Sequence, residues 1–123
     1  MKTWLIRSAA LVAAILMLVG GPFMNTATAG GKVALVLDVG GRGDLSFNDM
    51  GFKGADEAEA KLGVDVVEIQ SNSAADYLPN MQNAARSGKF DLVVAVGFLL
   101  ADAMAEVAAQ FPDQKFAIID VTW

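Results

Sequence analysis

The stretch Lys32-Val33-Ala34-Leu35-Val36-Leu37-Asp38-Val39-Gly40-Gly41-Arg42-Gly43-Asp44-Leu45-Ser46-Phe47-Asn48-Asp49 passes from an apolar run, through a glycine-rich turn, into the head of an amphipathic segment. An apolar run without alternation, Lys32 to Val39, is what a strand buried on both faces of a parallel sheet requires. Beyond the turn, small or apolar residues recur at 47, 51, 54, 55, 58 and 62, the spacing of one helix face. Lys53, Glu57 and Lys61 occupy the opposite, solvated face. Ser46, three residues before Asp49, is the expected head of this helix and Gly63 its stop.

The same strand-then-helix cycle repeats downstream. Val64 to Gln70 is β-branched and strand-like, and Asp76 to Arg86 reads as a helix with Asp76 as N-cap, Pro79 in its first turn and Gly88 after its end. Phe90 to Val96 is a third buried strand. The next helix carries Leu100, Met104, Val107, Ala108 and Phe111 on one side and Asp102, Glu106 and Gln110 on the other, until Pro112. Phe116 to Ile119 is a fourth strand. Four strands alternating with three helices define an α/β fold, a parallel sheet with flanking helices joined by right-handed crossovers. No helix follows the fourth strand, so one side of the sheet is expected to lack cover.

Residues 1–29 differ in kind. Lys2 and Arg7 precede the apolar run Ala9 to Val19, then Gly20-Gly21-Pro22 and Ala27-Thr28-Ala29, the order of a secretory signal with its cleavage site. The run is shorter than the roughly 20 residues of a membrane-spanning helix. A cleaved signal peptide over 1–29 and a domain over 30–123 are expected, with the mature chain not itself spanning a membrane. A lipobox cysteine is missing, so the expected location is the periplasm or the exterior, without a lipid anchor.

Composition narrows the chemistry. The chain has 123 residues, 54% of them hydrophobic, and neither Cys nor His, which removes disulfides, thiolate or imidazole metal sites and every His-dependent catalytic dyad. Loss of Lys2 and Arg7 with the signal leaves seven basic against fourteen acidic side chains. No Lys/Arg cluster could follow a phosphate backbone, so nucleic acid is not an expected partner.

In an open parallel sheet ligands bind outside the carboxyl ends of the strands, here Asp38 to Asn48, Ser71 to Ser73, Gly97-Phe98 and Asp120. Gly41-x-Gly43 resembles the start of a dinucleotide fingerprint, but Ser46 holds the third glycine's place and Asp44 and Asp49 would repel a pyrophosphate. No Walker sequence or nucleophile elbow is present. Arg42-Gly43-Asp44 in a glycine-rich turn is weak support for adhesion, and the spacing of Asp38, Asp44 and Asp49 matches no calcium loop. No catalytic residue, metal site or cofactor is expected.

The loop from Asp38 to Asp49, followed by Gly51-Phe52-Lys53-Gly54, resembles the first strand, loop and helix of the basic membrane protein family of ABC-transporter substrate-binding proteins, purine nucleoside receptor type. The similarity continues through Asp76-Tyr77, Phe90-Asp91-Leu92-Val93, Gly97-Phe98 and Phe116 to Asp120. It implies most of the first lobe of a type I periplasmic binding protein fold, a small-molecule ligand expected to be a nucleoside, and an inner-membrane ABC permease as partner. It further implies that Phe47 stacks on a purine and that Asn48 and Asp120 bond the base edge. Aromatic stacking, a donor-acceptor amide and an acceptor carboxylate suit those roles. Asp38, Asp44, Ser46, Gly97 and Phe98, at the same strand ends, complete the set expected near the ligand. Phe47 read alone also fits a hydrophobic staple under its helix. Within the same fold a receptor for a sugar or other small solute is the alternative. A single-domain flavodoxin-type signalling module is a further one, although Gly97 stands where its phosphate-accepting carboxylate would be.

Overall fold

The computed structural model describes residues 30–122; the expected signal peptide lies outside them. Strand β1 (Lys32–Val36) leads through the glycine loop into helix α1 (Phe47–Leu62), then β2 (Asp65–Ile69), α2 (Tyr77–Arg86), β3 (Leu92–Val96), α3 (Ala101–Gln110) and β4 (Phe116–Ile119). Short 3-10 turns, Ala74–Asp76 and Phe98–Leu100, lead into α2 and α3. The strands lie in the order β2-β1-β3-β4, all parallel. Val36 sits opposite Ile69 on one side and Ala95 on the other, and Val96 opposite Ile119. The chain therefore winds outward from β1 in both directions, and β1 and β3 flank the point where strand order reverses.

The lack of alternation in β1 has the expected cause. Ala34 and Val36 pack with Val93, Ala95, Tyr77, Met81, Leu100, Met104 and Val107 beneath α2 and α3, while Leu35 and Leu37 pack with Val96, Phe52 and Ala55 beneath α1. Both faces are buried, so both sets of positions must be apolar. Gly63 ends α1 in a left-handed conformation, its N–H donating to the Glu59 carbonyl at 3.1 Å.

Two local expectations need correction. The buried stripe of α1 is Asn48, Phe52 and Ala55, while Phe47 and Leu62 are exposed. Ser46 supplies no side-chain cap; the Asp44 carboxylate replaces it, accepting the Ser46, Asn48 and Asp49 N–H groups at 2.8, 3.0 and 3.2 Å. Asp44 reaches further into the first turn than a serine hydroxyl and offers two oxygens. At α2, Asp76 holds the expected N-cap position without a side-chain cap bond, and its carboxylate turns back to accept the Asn72 and Ser73 N–H groups, both at 2.9 Å.

The uncovered side is present. On the α1 side, Val94 and Ile119 line an open apolar cavity of about 380 Å³ with Met50, Gly51 and Leu62, and Ile119 is 45% exposed.

Candidate functional site

The carboxyl ends of β1, β3 and β4 converge on a cavity of about 160 Å³ lined by Asp38, Phe47, Val96, Gly97, Phe98 and Asp120. Five of the residues expected near a ligand thus share one concave surface at the topological switch point. Each is set there by a definable feature. Gly97 has φ +103°, which a side chain would strain, and this turn sends its N–H to the Ile119 carbonyl and its carbonyl to the Leu100 N–H at 3.3 and 3.2 Å. Phe98 follows immediately and stands 62% exposed. Asp120 leaves β4 with φ +67°, a left-handed conformation that aspartate tolerates better than most residues.

Phe47 is the first residue of α1 and 44% exposed, so its ring is not a staple sealed under the helix. Its pose is fixed by the loop before it. Asp49 accepts the Gly43 and Leu45 N–H groups at 2.7 and 3.0 Å while Asp44 holds the first turn. These bonds to its ionised form, led by the one from the Asn48 backbone, hold the Asp44 carboxyl below its ordinary value.

Asn48 is only 3% exposed. Its Nδ2 donates to Asp44 at 3.0 Å, and Oδ1 is buried with no hydrogen-bond partner among the described residues. In this arrangement one of the two amide N–H donors is engaged inside the loop and the amide oxygen is sealed from solvent, so the side chain does not present the expected donor-acceptor pair to the cavity. Asp44 and Asn48 do not line the cavity with Phe47, and Ser46 lines a neighbouring apolar groove with Leu45, Met50 and Ile119.

Asp38 is tied at three points. Its carbonyl accepts from Gln70 Nε2 at 2.8 Å, and Oδ1 accepts both the Val39 N–H and the Tyr77 hydroxyl. Tyr77 is 5% exposed, and burial, with the neighbouring Asp38 carboxylate, pushes its hydroxyl up to about 12. Its part in the site has no local signature in the sequence, since the two residues are 39 positions apart. Arg42, the cation of the loop, faces away from the cavity: it forms ion pairs with Glu68 and, at 3.6 Å, with Asp56, and its guanidinium lies 3.8 Å over the Phe52 ring. Among the described residues no group of three or more acidic side chains is placed to hold a metal ion.

The family model described as Bmp, ABC transporter substrate-binding protein PnrA-like, matches residues 32–122. The chain belongs to that family. An ABC transporter system solute-binding protein from Aeropyrum pernix K1 superposes with a TM-score of 0.70 at 49% identity, over 74% of this chain and 25% of that one. An uncharacterized lipoprotein of Pyrococcus abyssi is 48% identical over 84% of this chain and 26% of its own length. The ABC transporter nucleoside-binding protein BmpA of Lactococcus lactis is 37% identical over 72% of this chain and 26% of its own. The chain thus spans about a quarter of the length of these relatives. The sheet and its flanking helices are those of periplasmic-binding-type ABC solute-binding proteins.

The expected location requires correction. A relative as similar as the Pyrococcus abyssi protein is named a lipoprotein, a class attached to membranes through lipid, which overturns the expectation of an unanchored periplasmic or secreted protein. That expectation rested on the signal peptide expected over 1–29 and on the missing lipobox cysteine. Lipid attachment is a covalent modification, which the packing of a sheet does not register. No described helix is long and apolar enough to cross a membrane.

Proposed function

We propose that this chain is most of the first lobe of the solute-binding component of an ABC importer, that residues 1–29 direct its export, and that it grips a purine nucleoside against a second lobe. The observation that carries this reading is the grouping of a half-exposed aromatic ring, Phe47, with the carboxylates of Asp38 and Asp120 around one cavity. Stacking on Phe47 recognises the flat face of a base, and carboxylates accept from N–H and O–H donors at its edge or on its sugar. Asn48 fixes the loop beneath Phe47 by donating to Asp44. No residue is assigned a catalytic role, and the partner is a membrane permease.

The cavity, about 160 Å³, is small beside the roughly 300–1,000 Å³ of ordinary ligand pockets. A half-site closed by a second lobe accounts for this, and for aromatic rings left facing solvent. The nucleoside preference draws support from the name of the Lactococcus lactis relative, a nucleoside-binding protein. Charge adds a direction: Asp38 and Asp120 line the cavity while Arg42 is held by Glu68 and Asp56, so a phosphorylated ligand meets repulsion without a compensating cation.

The test is calorimetric titration of a full-length protein carrying residues 30–123 as its first lobe, stripped of co-purifying ligand. Adenosine, guanosine and inosine are expected to bind, and the matching nucleotides to bind more weakly. Binding of ribose or glucose in preference to any nucleoside would replace this reading with that of a sugar receptor.

A further inference from the structure

Tyr77 lies outside the cavity, yet its one polar atom is directed at a residue that lines it. The residue opens α2 and is buried in the core with Met81, Leu100 and Met104, where a phenylalanine would satisfy the packing equally well. A buried hydroxyl requires a partner, and this one reaches across from β2's end of the sheet to Asp38 at the end of β1. The two oxygens of Asp38 are thereby made unlike. Oδ1 is engaged by the Tyr77 hydroxyl and the Val39 N–H, whereas Oδ2 has no donor among the described residues and lies 4.0 Å from where a Cβ on Gly97 would stand, on the cavity wall.

We propose that Tyr77 is a positioning residue of the ligand site: by holding Oδ1 of Asp38 it aims Oδ2 into the cavity as the acceptor for one N–H or O–H donor of the bound nucleoside. The proposal rests on the nucleoside reading for the ligand's identity and on this geometry for the role of Tyr77. A carboxylate free to turn about its side-chain torsions would present either oxygen over a range of directions. Tied on one side, it presents Oδ2 from one fixed position and loses less freedom when the ligand arrives. Gln70 reinforces the same aim by holding the Asp38 carbonyl. Selectivity follows, because a fixed acceptor opposite a ligand that lacks a donor at that place is left unpaired.

The experiment is a double-mutant cycle in the full-length protein, with Tyr77→Phe, Asp38→Asn and the two combined. Each is titrated calorimetrically with adenosine and with analogues that each lack one donor: purine riboside and the 2′-, 3′- and 5′-deoxyadenosines. Asp38→Asn places an amide where the acceptor stood, and is expected to abolish discrimination against one analogue. Tyr77→Phe is expected to weaken adenosine binding roughly three- to tenfold, to reduce that same discrimination and no other, and to add nothing in the Asp38→Asn background. Equal weakening of every analogue by Tyr77→Phe, or losses that multiply in the combined variant, would reduce Tyr77 to a packing residue and overturn the proposal. Should Tyr77→Phe fail to fold, the unmutated protein decides: the sheltered Tyr77 hydroxyl proton shifts in NMR spectra on saturation with adenosine if Asp38 accepts from the ligand, and an unmoved resonance contradicts the proposal. A protein that binds sugars in place of nucleosides overturns the nucleoside reading alone, and the same cycle run with deoxy-sugars then decides the role of Tyr77. Binding of neither contradicts both.

Discussion

The carboxylates of Asp44 and Asp49 each hold the backbone that carries the other. Asp44 accepts the Asp49 N–H at 3.2 Å together with those of Ser46 and Asn48, and Asp49 accepts the Gly43 and Leu45 N–H groups that flank Asp44 at 2.7 and 3.0 Å. Donors left over at a helix N-terminus and in a glycine turn are thereby satisfied without a serine or threonine cap. The result is a rigid platform from which the Phe47 ring projects.

Replacing Asp44 by Ala is therefore expected to lower the melting temperature and to increase mobility around Phe47, read as faster amide exchange at Ser46, Asn48 and Asp49. The pH dependence has a defined sign. A carboxyl held below its ordinary value of 3.8 in the folded state contributes stability that is complete above 3.8 and is lost as pH falls through the lowered value. Melting measured from about pH 5 down to about pH 2 should fall less steeply for Asp44→Asn than for the unaltered protein. Parallel curves would show that Asp44 does not cap the loop in solution.

Gly97 and Gly54 should respond in opposite senses to alanine. At Gly97, φ is +103°, so a Cβ is strained although its nearest contact, Asp38 Oδ2, stands at an ordinary 4.0 Å; the expected loss is about 1–3 kcal/mol. Gly54 lies inside α1 with nothing within 4 Å of an added Cβ, and Gly54→Ala should stabilise by about 0.5–1 kcal/mol. Urea denaturation measures both. A neutral Gly97→Ala would mean that the turn is not held in this conformation.

Residues 30–123 prepared alone should self-associate through the apolar face beside α1. Met50, Leu62 and Ile119 are 64, 70 and 45% exposed there, and β4 is an edge strand with no further strand beside it among the described residues. Sedimentation velocity should show oligomers that dissociate when Met50 and Ile119 are changed to lysine. A monomer before any substitution would contradict the expectation.

Most of the fold was legible because its strands are buried on both faces, which leaves short apolar runs that no other element of that length explains. That Gly97, Phe98 and Asp120 would lie close together was legible for a related reason, since each follows the carboxyl end of a parallel strand, whereas Phe47, which opens α1, was singled out by the family resemblance. The details that escaped share a cause. Burial of Asn48 depends on a bond to Asp44, so apolar periodicity could not register it, and the true inner stripe of α1 stands one position away from the expected start at Phe47. The tie between Tyr77 and Asp38 joins residues from different strand-helix units and exists only once the sheet has formed. Attachment to a membrane depends on a covalent modification and not on packing, and the relatives corrected that expectation.

The central claim, that Phe47 is the stacking surface for a nucleoside, is tested most directly by titrating the full-length protein and its Phe47→Ala variant with adenosine in a calorimeter. With Phe47 44% exposed on the cavity rim, its loss should leave the melting temperature nearly unchanged. Affinity should fall roughly ten- to hundredfold, the loss of about 1–3 kcal/mol that a base stacked on an aromatic ring contributes. A Phe47→Ala protein that binds adenosine as tightly as the unaltered one would contradict the account.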